Sequence, residues 1–184
     1  MNDDNEIHFP GLALKTIIVH TITYSVMGIV AMNVLNYAEA FSSPTMASFM
    51  RQTTDPIVMA GPLFQPIRGL VFALVFYPLR EMFFNRKHGW LLLWWTLVGL
   101  GILSTFGPAP SSLEGMVFTT IPITKQVTGW IEVIPQAFFL SAILWYWVRN
   151  PEKRWLNWTL GTVFVVFVLL VILGLVVGNP PKPH

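Results

Sequence analysis

Between Asp55 and Gly69 the chain reads Asp55-Pro56, then Gly61-Pro62-Leu63-Phe64-Gln65-Pro66-Ile67-Arg68-Gly69, inside a run that is otherwise apolar as far as Leu79. This segment constrains the fold more than any other. Proline interrupts the helical hydrogen-bond ladder and frees the carbonyl four residues earlier. A guanidinium in mid-bilayer costs roughly 3 kcal/mol on insertion scales, so it faces a partner or a watery cavity inside the protein. A helix with these residues can cross a membrane only where neighbouring protein, water or a ligand satisfies the broken backbone.

Composition supplies the reason to think of a membrane. Of 184 residues 54% are hydrophobic and 11% charged, a balance foreign to soluble domains. Five apolar runs reach the roughly 20 residues needed to cross about 30 Å of hydrocarbon: Gly11 to Tyr37, Pro56 to Leu79, Gly89 to Phe106, Gly129 to Val148 and Trp155 to Val177. The third is near the minimum length. The expected fold is therefore all-α, a polytopic bundle of about five transmembrane helices forming one domain over residues 1–184, with tails at 1–10 and 178–184. The acidic start at Asp3, Asp4 and Glu6 and the length of the first run argue against a cleaved signal peptide.

Basic residues set the expected orientation. Arg80, Arg86 and Lys87 follow the second run and Arg149, Lys153 and Arg154 the fourth, whereas the opposite side holds Arg51, Lys125 and Lys182. By the positive-inside rule both basic loops and the N-terminus with Lys15 face the cytoplasm, and the Asn179–His184 tail faces out. Such a chain belongs in a cytoplasmic-type membrane. Trp90, Trp94, Trp95, Trp145, Trp147, Trp155 and Trp158 fall at the same run ends, as an interfacial belt does.

The outer loops carry structure of their own. Ser43-Pro44 reads as an N-cap with proline at the first helical position, with Met46, Phe49 and Met50 following on one face of a short interfacial helix. The turn cluster Gly107 to Gly115 precedes Met116 to Thr128, too short to span and expected to re-enter the membrane or lie flat over the bundle. Gly99 with Gly101, and Gly174-x-x-x-Gly178, would permit close helix contacts.

Polar residues within the runs cluster by depth. Asn33 and Asn36 lie near the outer end of the first, Gln65 and Arg68 in the middle of the second, and Glu132 and Gln136 in the outer half of the fourth. Glu39, Asp55 and Glu114 come from adjoining outer segments, so four carboxylates surround one arginine. The simplest geometry is an outward-opening cavity between runs one, two and four, with Arg68 at its floor paired to Glu132 or Glu114. Candidate ligand-binding residues are thus Arg68, Gln65, Glu132, Gln136, Asn33, Asn36 and Glu114. His20 with Thr16, Thr23 and Tyr24 forms a polar strip on the first run, expected as a satisfied hydrogen-bonding face.

Several chemistries are excluded or unsupported. The chain has no cysteine, which removes disulfides and thiolate sites. A net charge of +2 gives no nucleic-acid footprint. No zinc motif, nucleophile elbow or phosphate loop is present, no aspartate lies in a run, no metal site is legible in the scattered carboxylates, and no cofactor is implied. Neither an internal repeat nor an even number of runs suggests inverted halves. The pattern favours a non-enzymatic protein that binds or transports a small anionic or zwitterionic solute or lipid headgroup; the alternative is a structural subunit whose partners are lipid, a second copy or other membrane subunits, and the second alternative an enzyme on lipid or quinone with Glu114 or Glu132 as acid or base.

Overall fold

The computed structural model describes residues 6–48 and 50–178. Within them all regular structure is helical: α1 (Phe9–Val34), α2 (Tyr37–Ser42), α3 (Pro56–Met59), α4 (Gln65–Phe76), α5 (Arg80–Phe84), α6 (Gly89–Val98), α7 (Leu113–Phe118), α8 (Ile123–Arg149) and α9 (Arg154–Gly178). A 3-10 turn at Gly61–Phe64 leads into α4, and a π segment at Gly99–Leu103 extends α6. Three helices, α1, α8 and α9, are long and apolar enough to cross a membrane, and Gly61–Phe76 and Gly89–Leu103 form shorter apolar helices.

Helix α1 is the hub. It packs against α4, α8 and α9, while α6 packs on the far side of α8. Helices α1 and α4 approach closely at Gly69, where a Cβ would stand 2.7 Å from the Cα of Ile17. Gly69 lets the two backbones touch, a role the sequence suggested for other glycines. Around Gly99, Gly101 and Gly174 a Cβ would meet no atom within 4 Å, so those positions make no such contact within the chain.

The apolar core lies towards one end of the bundle, where Leu12, Phe76, Phe84, Leu93 and Leu144 are almost fully enclosed. The basic loops are stitched to this end. Arg149 donates to the Phe84 carbonyl (3.1 Å), the Trp145 indole to Arg86 O (3.1 Å) and Lys15 to Trp147 O (3.1 Å). Trp147 departs from the expected belt: it is buried in the core, its indole donating to Asn157 Oδ1 at 2.5 Å. Trp95, Trp155 and Trp158 are exposed as a belt requires.

Three local details emerge, one of them a correction. The run from Pro56 is broken, as its prolines dictate, into α3, the 3-10 turn and α4, because Pro62 and Pro66 cannot donate. The break is repaired locally by Ala60 N–H to Pro56 O, Leu63 N–H to Ala60 O and Gln65 N–H to Pro62 O. Second, and as a correction, the outer-loop helix is α2, before Ser43 rather than after it: the Ser43 hydroxyl turns back to Ala40 O (2.6 Å), satisfying a carbonyl at the end of α2. Residues 44–48 form turns, and Phe49 lies outside the described residues, as do Asp3, Asp4 and the Asn179–His184 tail. Third, Met116 to Thr128 is divided between α7 and the first turns of α8, with Thr119–Pro122 between them.

Asp55 caps α3, accepting from Ile57 N–H at 3.0 Å and from Arg51 at 3.2 Å. That backbone donor first, and Arg51 second, hold its carboxyl below the usual carboxylate value. Gly69→Ala is expected to cost about 1–3 kcal/mol by overpacking, seen as a lowered unfolding midpoint in detergent. Gly174→Ala, with open space around it, is expected to leave the midpoint unchanged or raise it.

Candidate functional site

Away from the apolar core the helices diverge and leave a cavity of about 380 Å³. Arg68 and Phe72 of α4, His20 and Tyr24 of α1, and Glu132, Val133 and Gln136 of α8 line it. Gly101 and Ile102 of the π segment, with Thr105 and Ala109 to Ser111 of the following loop, close the remaining side, so the third apolar run contributes to a cavity expected between runs one, two and four. Arg68, Glu132 and Gln136 are therefore brought together.

The expected ion pair is not formed. Among the described residues the only pair within ion-pair distance is Arg51 with Asp55. Arg68 is exposed, and its guanidinium carbon stands 5.6 Å from the Phe72 ring centroid, whose ring meets the His20 ring edge-on at 4.9 Å. Glu132 instead accepts a hydrogen bond from the Tyr37 hydroxyl. Glu114 sits exposed in the first turn of α7 and does not line the cavity. Nor do the other carboxylates converge, since Glu39 accepts from Asn36 (2.7 Å) and Asp55 is held by Arg51.

Gln65 has a different position from the one expected. It is 8% exposed and lies behind the cavity wall. Its amide nitrogen donates to Gly61 O (3.2 Å), which turns its oxygen towards His20 Nε2 at 3.1 Å. An amide oxygen has no hydrogen, so His20 Nε2 is the donor, which in the neutral ring leaves Nδ1 as the acceptor. Gln65 thus ties the proline break in the second apolar run to α1. His20 is 1% exposed, and its Nδ1 has no protein partner; neither has the buried Thr21 hydroxyl. Thr16 and Thr23 bond back to carbonyls of their own helix, so the α1 strip is only partly satisfied.

Asn33 and Asn36 stand apart from the cavity. Asn33 is exposed and donates to Ile29 O (2.7 Å). Asn36 adopts φ +46° and breaks the chain between α1 and α2, a conformation that asparagine tolerates better than most residues.

A second cavity, of about 490 Å³, lies under α2 and the 43–50 loop, with Met46, Met50, Phe41 and Lys125 among its walls. Its far side rests on Gln126, which sequence reasoning missed because one amide in an apolar stretch carries no periodic signal. Gln126 is 1% exposed, accepts from Ser111 N–H (3.2 Å) and donates towards Gly115 O (3.1 Å), Thr119 Oγ1 (3.3 Å) and Ile121 O (2.9 Å). With the Trp130 indole donating to Ser111 O at 2.8 Å, it holds Ser111 at φ +70°.

Comparison with protein-family models, with curated proteins and with solved structures finds no match to this chain. Its chemistry has to be read from the residues themselves. Gln126→Ala would strand one buried donor and several carbonyls, and is expected to cost on the order of 3 kcal/mol. Hydrogen exchange should locate that loss as faster exchange over residues 109–121 while the α1–α4 contact stays protected.

Proposed function

We propose that the chain is a five-span helical protein of a cytoplasmic-type membrane, N-terminus inside, whose cavity binds or passes a small anionic or zwitterionic solute or a lipid headgroup. Arg68 is the charge anchor, with Glu132 and Gln136 as orienting groups and His20 and Tyr24 completing the wall. The observation that carries this reading is an arginine that lines a 380 Å³ cavity and forms no ion pair among the described residues. An unneutralised guanidinium in apolar surroundings is what an anionic oxygen would relieve. Gln65, Asn33, Asn36 and Glu114 have no place in the binding set: Gln65 is engaged with His20 and Gly61, and the other three lie off the cavity.

A second reading has its own observation. Arg68 stands beside Ile67 and Val71 of α4 and Phe64 at the end of the 3-10 turn, which are 65%, 53% and 52% exposed. A partner subunit or a second copy covering these residues would make Arg68 an assembly contact instead.

Native mass spectrometry of the protein gently extracted from its own membrane separates the two. A small molecule bound to the parent and missing from Arg68→Gln is the expected result. Bare chains from both, or a larger assembly that Arg68→Gln fails to join, would replace binding with the structural reading. The topology has a separate check, because a cysteine-free chain accepts single-cysteine reporters cleanly. Pro108→Cys should react with a membrane-impermeant thiol reagent outside intact cells and Lys87→Cys should not; labelling of both from one side would overturn the five-span arrangement.

A further inference from the structure

The two cavities share Tyr24, Glu132, Pro110 and Ser111 as lining residues. They are neighbours across one wall. On one side that wall is pinned: Ser111 is held through its N–H by buried Gln126 and through its carbonyl by Trp130. On the other side it is held by the Tyr37 hydroxyl on Glu132, and Tyr37 rides on α2, a six-residue helix none of whose residues is buried. Helix α2 joins α1 at Asn36, whose left-handed conformation makes the junction a corner rather than a continuous helix. A rigid half and a lightly held half make a partition that opens on one side.

We propose that the two cavities are successive compartments of one route, an outer vestibule and the Arg68 chamber, divided by the Tyr37–Glu132 hydrogen bond. Swinging α2 about Asn36 removes Tyr37 from Glu132 and joins the compartments. The vestibule is the larger, with Met46, Met50 and Phe41 on α2 and its loop and Lys125 also in its wall. An amphiphile or organic anion fits that sequence of surfaces: its apolar part is received among the methionines while its anionic head passes Lys125 and then reaches Arg68. Glu132, once released by Tyr37, faces the head and disfavours a dianion by like-charge repulsion, so the route selects monoanions and zwitterions. This inference rests on the binding reading of the Arg68 chamber.

The test uses the full chain in membranes with the anionic thiol reagent 2-sulfonatoethyl methanethiosulfonate applied from the outside. Val133→Cys reports the inner chamber and Thr45→Cys the vestibule, each by formation of a mixed disulfide with release of methanesulfinate. The quantity read is the ratio of the two labelling rates. Tyr37→Phe removes only the hydroxyl and should raise that ratio about tenfold, the effect of losing one hydrogen bond to a carboxylate. Asn36→Val keeps the hydroxyl but cannot hold the left-handed corner, and should move the ratio in the same direction. A ratio unmoved by both changes overturns the partition. Failure of the binding reading looks different: native mass spectrometry would find the same bare chain in the parent and in Arg68→Gln, whatever the labelling ratio does.

Discussion

Repair of the broken backbone between Pro56 and Pro66 is the constraint on which the arrangement of the other helices depends. Two prolines that cannot donate interrupt the ladder where the surroundings are apolar, and an unpaired backbone group in such a place costs several kcal/mol. The local turns recover part of this. The remainder is carried by Gln65, whose amide takes Gly61 O on one side and His20 on the other. That single side chain fixes where α4 starts relative to α1, and Gly69 then allows the two helices to meet backbone to backbone.

From that contact the division of the molecule follows. Towards the basic loops, α1, α4, α5, α6 and α8 close over phenylalanine, leucine and Trp147. Towards the other end, α4 begins late and α6 loosens into a π segment, so the helices leave space instead of filling it. Arg68, one turn into α4, is carried to the side of that space. The same proline break that costs hydrogen bonds therefore positions the one charge in α4 beside a cavity.

Glutamines decide much of this architecture, and they do so in opposite ways. Gln136 faces the cavity, Gln65 is enclosed behind it, and Gln126 organises the loop above it. Sequence position distinguishes none of these roles, because each residue is one amide in an apolar stretch. Only the partner within about 3 Å separates a cavity-facing amide from a structural one.

Several features were legible in the residues alone: helical structure throughout the described residues, the long apolar helices, and the break imposed by Pro62 and Pro66. Each follows from local chemistry, since apolar run length and the missing proline N–H act on the chain without reference to distant partners. The tertiary structure alone decided that Glu132 bonds Tyr37 rather than Arg68, that Gly69 and not Gly99, Gly101 or Gly174 makes a close approach, that Trp147 enters the core, and that Asn33, Asn36 and Glu114 stand off the cavity. Those outcomes depend on helix rotation and on contacts across many residues of chain, such as the 95 separating Tyr37 from Glu132. A rotation of one residue, about 100° around a helix, turns a side chain from a cavity to the outside, and packing against neighbouring helices sets that angle.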